Sequence, residues 1–330
     1  MTTPTEVPSN PLGRVGLTAD ELWHSTFRAM ASPVRVQLGR DTRDPGRVHA
    51  AVRDLVDQVE RQCTRFDPTS DLMQANVAGD GWHQVGVRCY DALVAAERAH
   101  AETAGVFEPR VLRVLADLGY ASSWPADGRP AGGPAAPGPV LGRAPRWTPG
   151  FDAATRSVRV GPDPIDLGGI GKGLALRWTA DLLAAAGATS YLVDAGGDCV
   201  FRGGGPDGSG WHIGVEDPRG GIDPMAVLAV TDGACATSST RLRRWRAGGE
   251  EVHHLIDPST RRPGGGGLRA VTVVADDPAD AEVWSKTLFL RGAAIAEAAE
   301  CRGLAALWID ADGTLAASPA MQPHLIWTRP

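Results

Sequence analysis

Residues 166–173, Asp166-Leu167-Gly168-Gly169-Ile170-Gly171-Lys172-Gly173, gather four glycines, one acid and one lysine just ahead of an amphipathic helical segment. Glycine lets a backbone approach a ligand closely and accepts positive φ. A helix N-terminus adds free N–H groups and a partial positive charge, so the spacing suits an anion such as a diphosphate. Two known phosphate loops are excluded. A P-loop needs glycine five residues before its Gly-Lys pair and Ser or Thr after the lysine; Asp166 and Gly173 stand at those places. The dinucleotide fingerprint G-x-G-x-x-G is not met by Gly169, Gly171 and Gly173. The alternative is a glycine-rich turn that only joins a strand to a helix.

The elements around this loop must bury a sizeable core, and 330 residues with 43% hydrophobic content suffice for one large domain or two. A net charge of −6 without a basic block argues against nucleic acid as the main partner. Five cysteines (Cys63, Cys89, Cys199, Cys235, Cys301) lack C-x-x-C spacing, which fits reduced thiols in a cytoplasmic protein better than a disulfide frame or a zinc site. Met1 to Val15 is polar and rich in Pro and Thr, with neither an apolar signal core nor an early cysteine for lipid attachment. No run of about 18 apolar residues occurs, so membrane insertion is not expected and the expected location is the cytoplasm.

Residues 1–18 read as a disordered arm and 19–330 as a single domain. The Pro/Gly/Ala-rich stretch 121–149 reads as a surface excursion within it. Alternation marks Val34–Leu38 as a strand, and helical spacing marks Val48–Cys63, Tyr90–Thr103, Leu174–Ala186 and Asp280–Arg291 as helices. Arg156–Val160, Tyr191–Val193, Cys199–Arg202, Trp211–Val215, Ala226–Thr231 and Val271–Ala275 read as strands. Leu307–Ala317 reads as a hairpin turning at Asp312-Gly313. The mixture implies α+β with mostly antiparallel sheet rather than a strict βαβ repeat.

Further segments extend the pattern in a fixed order. Phe27-Arg28-Ala29-Met30-Ala31-Ser32 resembles a Met-Gly-Thr strand, and Arg65-Phe66-Asp67-Pro68 through Asn76 an aromatic segment ending in Asn. Phe107-Glu108-Pro109 resembles Phe-Asp-Pro, and Val193 to Asp198 resembles Val-x-x-Gly-Gly-Glu. Ala236-Thr237-Ser238 resembles an Ala-Thr-Ser-Gly turn, and His254 to Thr260 resembles His-Ile-Ile-Asp-Pro-x-Thr. Together with the glycine loop, residues 25–320 resemble the ApbE-type FAD:protein FMN transferases. The resemblance implies a mixed α/β fold of mostly antiparallel sheets flanked by helices, with an FAD cleft between two lobes. It implies cleavage of FAD, transfer of FMN to a Thr or Ser of an acceptor protein, release of AMP and assistance by Mg²⁺. Two other outcomes stay open at this level: an FAD pyrophosphatase giving FMN and AMP, and a catalytically weak FAD-binding protein.

Carried over position by position, the resemblance assigns FAD contacts to Met30, Phe66, Val106, Phe107, Glu108, Leu174, Ile256 and Thr237. Met30, Leu174 and Ile256 read equally as plain core. Lys172 reaches the diphosphate or points to solvent. His254 is the general-base candidate, with Asp257 orienting it or acting instead; an ordinary strand-end histidine is the competing reading, and His253 reads as surface. Asp166 anchors the glycine turn by accepting backbone N–H bonds.

The implied metal ligands are a carbonyl at Gly171 and, on one face of the late helix, the positions of Glu282 and Lys286, with Ser285 close by. The family pattern has Asp and Thr where Glu282 and Lys286 stand. Glutamate remains an oxygen ligand; a protonated lysine offers no acceptor. Either Glu282 and Lys286 form a helical ion pair worth about 0.2–0.5 kcal/mol, or the Lys286 ammonium takes over part of the metal's task. Ser239 and Arg261 replace glycines, Glu108 and Arg110 replace Asp and a Thr-type residue, and Arg241, Arg243, Arg244 and Arg246 form a basic cluster.

Overall fold

The computed structural model describes residues 22–123 and 146–329. The N-terminal arm and most of the Pro/Gly/Ala-rich excursion lie outside the described residues.

An eight-stranded sheet forms the frame, and every neighbouring pair is antiparallel. Its strands lie side by side in chain order: Leu22–Ala29, Ser32–Gly39, Tyr191–Ala195, Asp198–Arg202, Gly233–Ser239, Leu268–Ala275, Ala305–Asp310 and Leu315–Ala317. The connections between them carry most of the rest, and Pro319–His324 and Leu325–Thr328 follow the last strand. The one between Gly39 and Tyr191 holds helices Pro45–Cys63, Asp71–Ala78, Val87–Glu102 and Leu112–Asp117, then the glycine loop and helix Gly171–Ala185.

Side chains alternate across the sheet with period two. Val271, Val273 and Ala306 pack on the helical side with Leu288 and Phe289. Ala270, Val274, Leu307 and Ile309 pack on the other side against Trp211, Val215 and Leu228, which come from a three-stranded sheet of Trp211–Val215, Ala226–Val230 and Leu325–Thr328. The result is helix on sheet on sheet.

Local signals explain the helices that carry the site. Pro45–Cys63 starts at Asp44, whose carboxylate accepts from the Arg47 amide (3.2 Å), with Pro45 in the first turn. Val48, Val52, Leu55, Val56 and Val59 then form one buried stripe. Pro278–Arg291 starts at Asp277, which accepts from the Ala279 and Asp280 amides (2.8 and 3.1 Å). The same carboxylate takes two 2.6 Å bonds from Arg177, tying this helix to Gly171–Ala185.

Three sequence expectations change. Ala236-Thr237-Ser238 is not a turn: it lies inside the strand Gly233–Ser239, paired with Val271 to Val273 of the neighbouring strand. Phe27–Ser32 is a hairpin rather than one strand, turning at Met30-Ala31 with φ of 50° and 56°, an uncommon conformation for residues with a Cβ. Arg261, in a glycine's place, still takes the left-handed conformation at φ 57°. That conformation carries a cost in backbone strain of about 1–2 kcal/mol.

Candidate active site

The glycine loop opens onto a cleft of about 1200 Å³, its mouth included. One wall comes from the helical insertion, through Cys63 to Phe66 and Val106 to Glu108. The other comes from Arg243, His254 and Ile256 with Lys286 and Leu290. Met30 and Ala31, at the strained hairpin turn, close one end.

The loop is held in shape by side chains of the protein itself. Asn76 clamps the chain entering it, donating to the Ile165 carbonyl (2.9 Å) and accepting from the Ile165 amide (2.7 Å). Asp166 accepts from the Gly168 amide (2.7 Å), the turn-anchoring bond expected of it, and its other oxygen meets Arg65 Nε at 3.3 Å. Both side chains are buried. Among the described residues the amides of Gly169 and Lys172 have no protein acceptor, so two donors remain at a helix start that favours negative charge.

Arg65 also organises the apolar wall. Its guanidinium lies 4.4 Å from the centroid of the Phe66 ring and 4.3 Å from that of Tyr120, and Nη1 donates to the Tyr120 carbonyl (2.8 Å). Tyr120 leans in turn on Trp245, whose Nε1 donates to the Leu118 carbonyl. Stacking and cation–π contact hold the Phe66 ring where a flat heterocycle can lie on it.

Of the residues assigned from sequence, Met30, Phe66, Val106, Phe107, Glu108, Ile256, Gly171, Lys172, His254 and Lys286 all line this cleft. Glu108 does so without a free carboxylate, because Arg110 takes both oxygens (2.8 and 2.6 Å). The two replaced residues thus compensate each other. Leu174 is core, packed with Leu167, Ile170 and Val283. Thr237 lies off the cleft wall and its hydroxyl pairs with that of Thr272 (2.9 Å). Asp257 neither orients His254 nor reaches the cleft: it accepts from the amide and hydroxyl of Ser259 in a local turn (2.8 and 2.7 Å). His253 is half-buried rather than surface, edge-on to Phe289.

His254 sits at the polar end, half-buried, with Nδ1 3.3 Å from the Arg243 carbonyl. Burial pushes its pKa well below the ordinary histidine value, and the positive charges of Arg243 and Lys286 push the same way. The ring is therefore neutral at neutral pH. With its Nδ1 proton turned to that carbonyl, Nε2 keeps a lone pair.

Lys172 does not point to solvent; it forms an ion pair with Asp198. Asp198, which sequence reasoning did not place in the site, also accepts from the Thr237 amide (3.2 Å). Of the basic cluster only Arg243 lines the cleft. Arg241 pairs with Glu216, Arg244 with Glu251, and Arg246 donates to the Gly249 carbonyl.

The residues at the implied metal position do not fit Mg²⁺. Glu282 spends Oε2 on the Gly173 amide (2.8 Å). Ser285 bonds the Ser238 hydroxyl (2.9 Å) and the Glu282 carbonyl (3.0 Å). Lys286 brings a cation where an oxygen ligand is needed. Among the described residues no three or more His, Cys, Asp or Glu side chains gather as a metal-holding group.

Arg65, Tyr120 and Asp198 escaped sequence reasoning, whereas Arg243 was singled out only as one of a basic cluster. Only Arg65 carried a usable signal, its place beside Phe66.

The model of the ApbE family matches residues 30–308 of this chain. The FAD:protein FMN transferase of Escherichia coli strain K12 is 30% identical over 151 residues, 45% of this chain and 43% of that protein. One from Klebsiella pneumoniae strain 342 is 26% identical over 264 residues, 77% and 74% of the two chains. The matched stretch thus spans less than half the length of the Escherichia coli relative, and about three quarters of the Klebsiella one. Among solved structures, the ApbE protein from Thermotoga maritima superposes with a TM-score of 0.80 at 25% identity, covering 92% of this chain and 99% of that one. The flavin transferase ApbE from Vibrio cholerae does so with 0.76 at 22% identity, over the same shares; that likeness is one of fold. Both agree with the antiparallel α+β architecture described above. On the family match over most of its length, this chain belongs to the ApbE family.

Proposed function

We propose that this chain is an FAD:protein FMN transferase. The observation that carries the proposal is the meeting, in one cleft, of a glycine loop with two amides free of protein acceptors, an aromatic wall and a neutral histidine. The relatives bearing that activity in their names support it.

In this reading the flavin lies along Phe66 and the diphosphate crosses the glycine loop, where the Gly169 and Lys172 amides donate to it. An acceptor Thr or Ser oxygen attacks the flavin-side phosphorus, and His254 Nε2 takes the hydroxyl proton. The bond from that phosphorus to the bridging oxygen breaks, and AMP leaves carrying that oxygen. Little covalent help is required in such transfers; positioning and charge stabilisation supply most of the rate. The glycine-loop donors and the Lys286 and Arg243 cations serve the negative charge on the transferring group.

The partners are FAD and an acceptor protein bearing a Thr or Ser site. A cytoplasmic acceptor accords with five unpaired cysteines. Among the described residues no helix is long and apolar enough to cross a membrane.

The test is incubation of the purified chain with FAD and an acceptor protein carrying a Thr/Ser flavinylation site. The expected result is covalent flavin fluorescence on the acceptor and an equal amount of AMP. AMP without flavin on the acceptor would make the chain a pyrophosphatase; a yellow but inert protein would make it a flavin-binding protein.

A further inference from the structure

Lys286 lies against the glycine loop. A methyl group added at Gly169 would stand 2.9 Å from Lys286 Cε and 3.3 Å from its Nζ. The side chain lines the cleft, yet among the described residues its ammonium makes no hydrogen bond or salt bridge. The other lysine of the loop differs, since Lys172 is neutralised by Asp198. Glu282, one turn before Lys286 on the same helix face, is held by the Gly173 amide.

The polar end of the cleft therefore carries three cations, Lys172, Lys286 and Arg243, facing two carboxylates, Asp198 and Glu282. One positive charge is left over, and Lys286 is the lysine free to deliver it. A divalent cation bound at the Gly171 carbonyl would add two charges beside that ammonium, a like-charge contact where an oxygen ligand is needed.

We propose that Lys286 supplies the charge that the FAD diphosphate meets at the glycine loop, so that this chain binds and cleaves FAD without a divalent metal. The proposal rests on the flavin-transferase reading above. In the cleavage step the negative charge that gathers on the departing AMP phosphate and the bridging oxygen is met by the Lys286 ammonium. The proton balance is unchanged, since the acceptor hydroxyl (or water, in hydrolysis) still gives its proton to His254.

The full-length chain, treated with EDTA and desalted, is titrated with FAD and with riboflavin, which has no phosphate. AMP release is followed in EDTA and in Mg²⁺, and Mn²⁺ alone is titrated by electron paramagnetic resonance. The expected results are FAD binding and AMP release that persist in EDTA, with no stoichiometric Mn²⁺ site. Lys286→Met should weaken FAD about 10–100-fold, the scale of losing a charge-assisted hydrogen bond, and leave riboflavin unchanged. Lys286→Arg should keep most of the FAD affinity. The double variant Glu282→Asp with Lys286→Thr should acquire Mn²⁺ binding. Stoichiometric Mn²⁺ on the unmodified chain, or AMP release abolished by EDTA, would overturn the proposal. Should Lys286→Met fail to fold, those two measurements on the unmodified chain still decide it. A chain that binds no FAD under any condition would instead remove the transferase reading itself.

Discussion

Glu282 Oε2 lies 2.8 Å from the amide of Gly173, a residue 109 positions earlier. The start of the glycine-loop helix has no side-chain cap of its own, and a carboxylate from the neighbouring helix fills that role. The acid at the position where the resemblance implies a metal ligand thus serves as a helix cap. Glu282→Ala leaves a buried amide unpaired, so stability should fall by about 1–3 kcal/mol. Glu282→Gln keeps an oxygen acceptor and should lose clearly less. Urea unfolding at neutral pH measures both; equal losses would mean that the bond contributes nothing.

Gly171 and Gly173 are two residues apart and should respond in opposite ways to alanine. A Cβ on Gly173 would lie 2.5 Å from both the Ala279 Cα and the Pro278 carbonyl oxygen. That backbone is held by the Asp277 cap and by Arg177 and cannot yield cheaply. Gly173→Ala should therefore cost about 1–3 kcal/mol, the usual scale of overpacking. A Cβ on Gly171 meets nothing within 4 Å, and alanine favours a helix by up to about 1 kcal/mol over glycine. Gly171→Ala should leave stability unchanged or higher, as thermal unfolding of the two variants would show.

This contrast shows where the chain could be read directly and where it could not. The helix Pro45–Cys63 was legible because Asp44, Pro45 and a regular valine and leucine stripe are local signals. The glycine loop was legible as a group, but its glycines do different work. Gly169 accommodates Lys286, while Gly173 lets two helices touch. That division depends on a helix more than 100 residues away, which no local pattern reports. The Lys172–Asp198 pair likewise follows from the sheet placing Asp198 beside the loop. Thr237 reads as part of a turn from the resemblance, yet the strand Leu268–Ala275 draws it into the sheet opposite Thr272, where tertiary pairing outweighs local preference.

Arg65 joins the aromatic wall to the glycine turn, and its variants should separate the two tasks. Arg65→Met leaves the buried Asp166 carboxylate without its cation and should cost about 3–5 kcal/mol. Arg65→Lys keeps a charge near Asp166 but loses the planar stack on Phe66 and Tyr120; about 1–2 kcal/mol should be lost. Denaturant titration checks the order, and a lysine variant as damaged as the methionine variant would assign the whole effect to the stack.

His253 gives the fold an acid-side weakness. Burial lowers its pKa from 6.5 to about 4. The unfolded chain then takes up this proton first as pH falls, so stability is lost below pH 6.5 and the loss is complete only near pH 4. From pH 6.5 to pH 5 the group should cost about 2 kcal/mol, at roughly 1.4 kcal/mol per unit. His253→Asn removes the titration and should flatten the fall in unfolding temperature across that window. An unchanged slope would place the acid sensitivity elsewhere.

Burial first, then Arg243, Lys286 and His253, hold the His254 pKa well below its ordinary value. The lone pair that takes the acceptor proton is lost only when His254 is protonated. The acid limb of kcat/KM for FAD cleavage should therefore fall below the usual histidine range. Neutralising a nearby cation raises a histidine's pKa, so Lys286→Met should move that limb upward toward neutrality, while Lys286→Arg leaves it in place. His254→Asn should abolish the limb along with most of the activity. The separation between a lower rate and a displaced pH profile distinguishes two roles for Lys286. A lysine that only binds phosphate would change the height of the curve, whereas one that also sets the protonation of His254 must move its acid side.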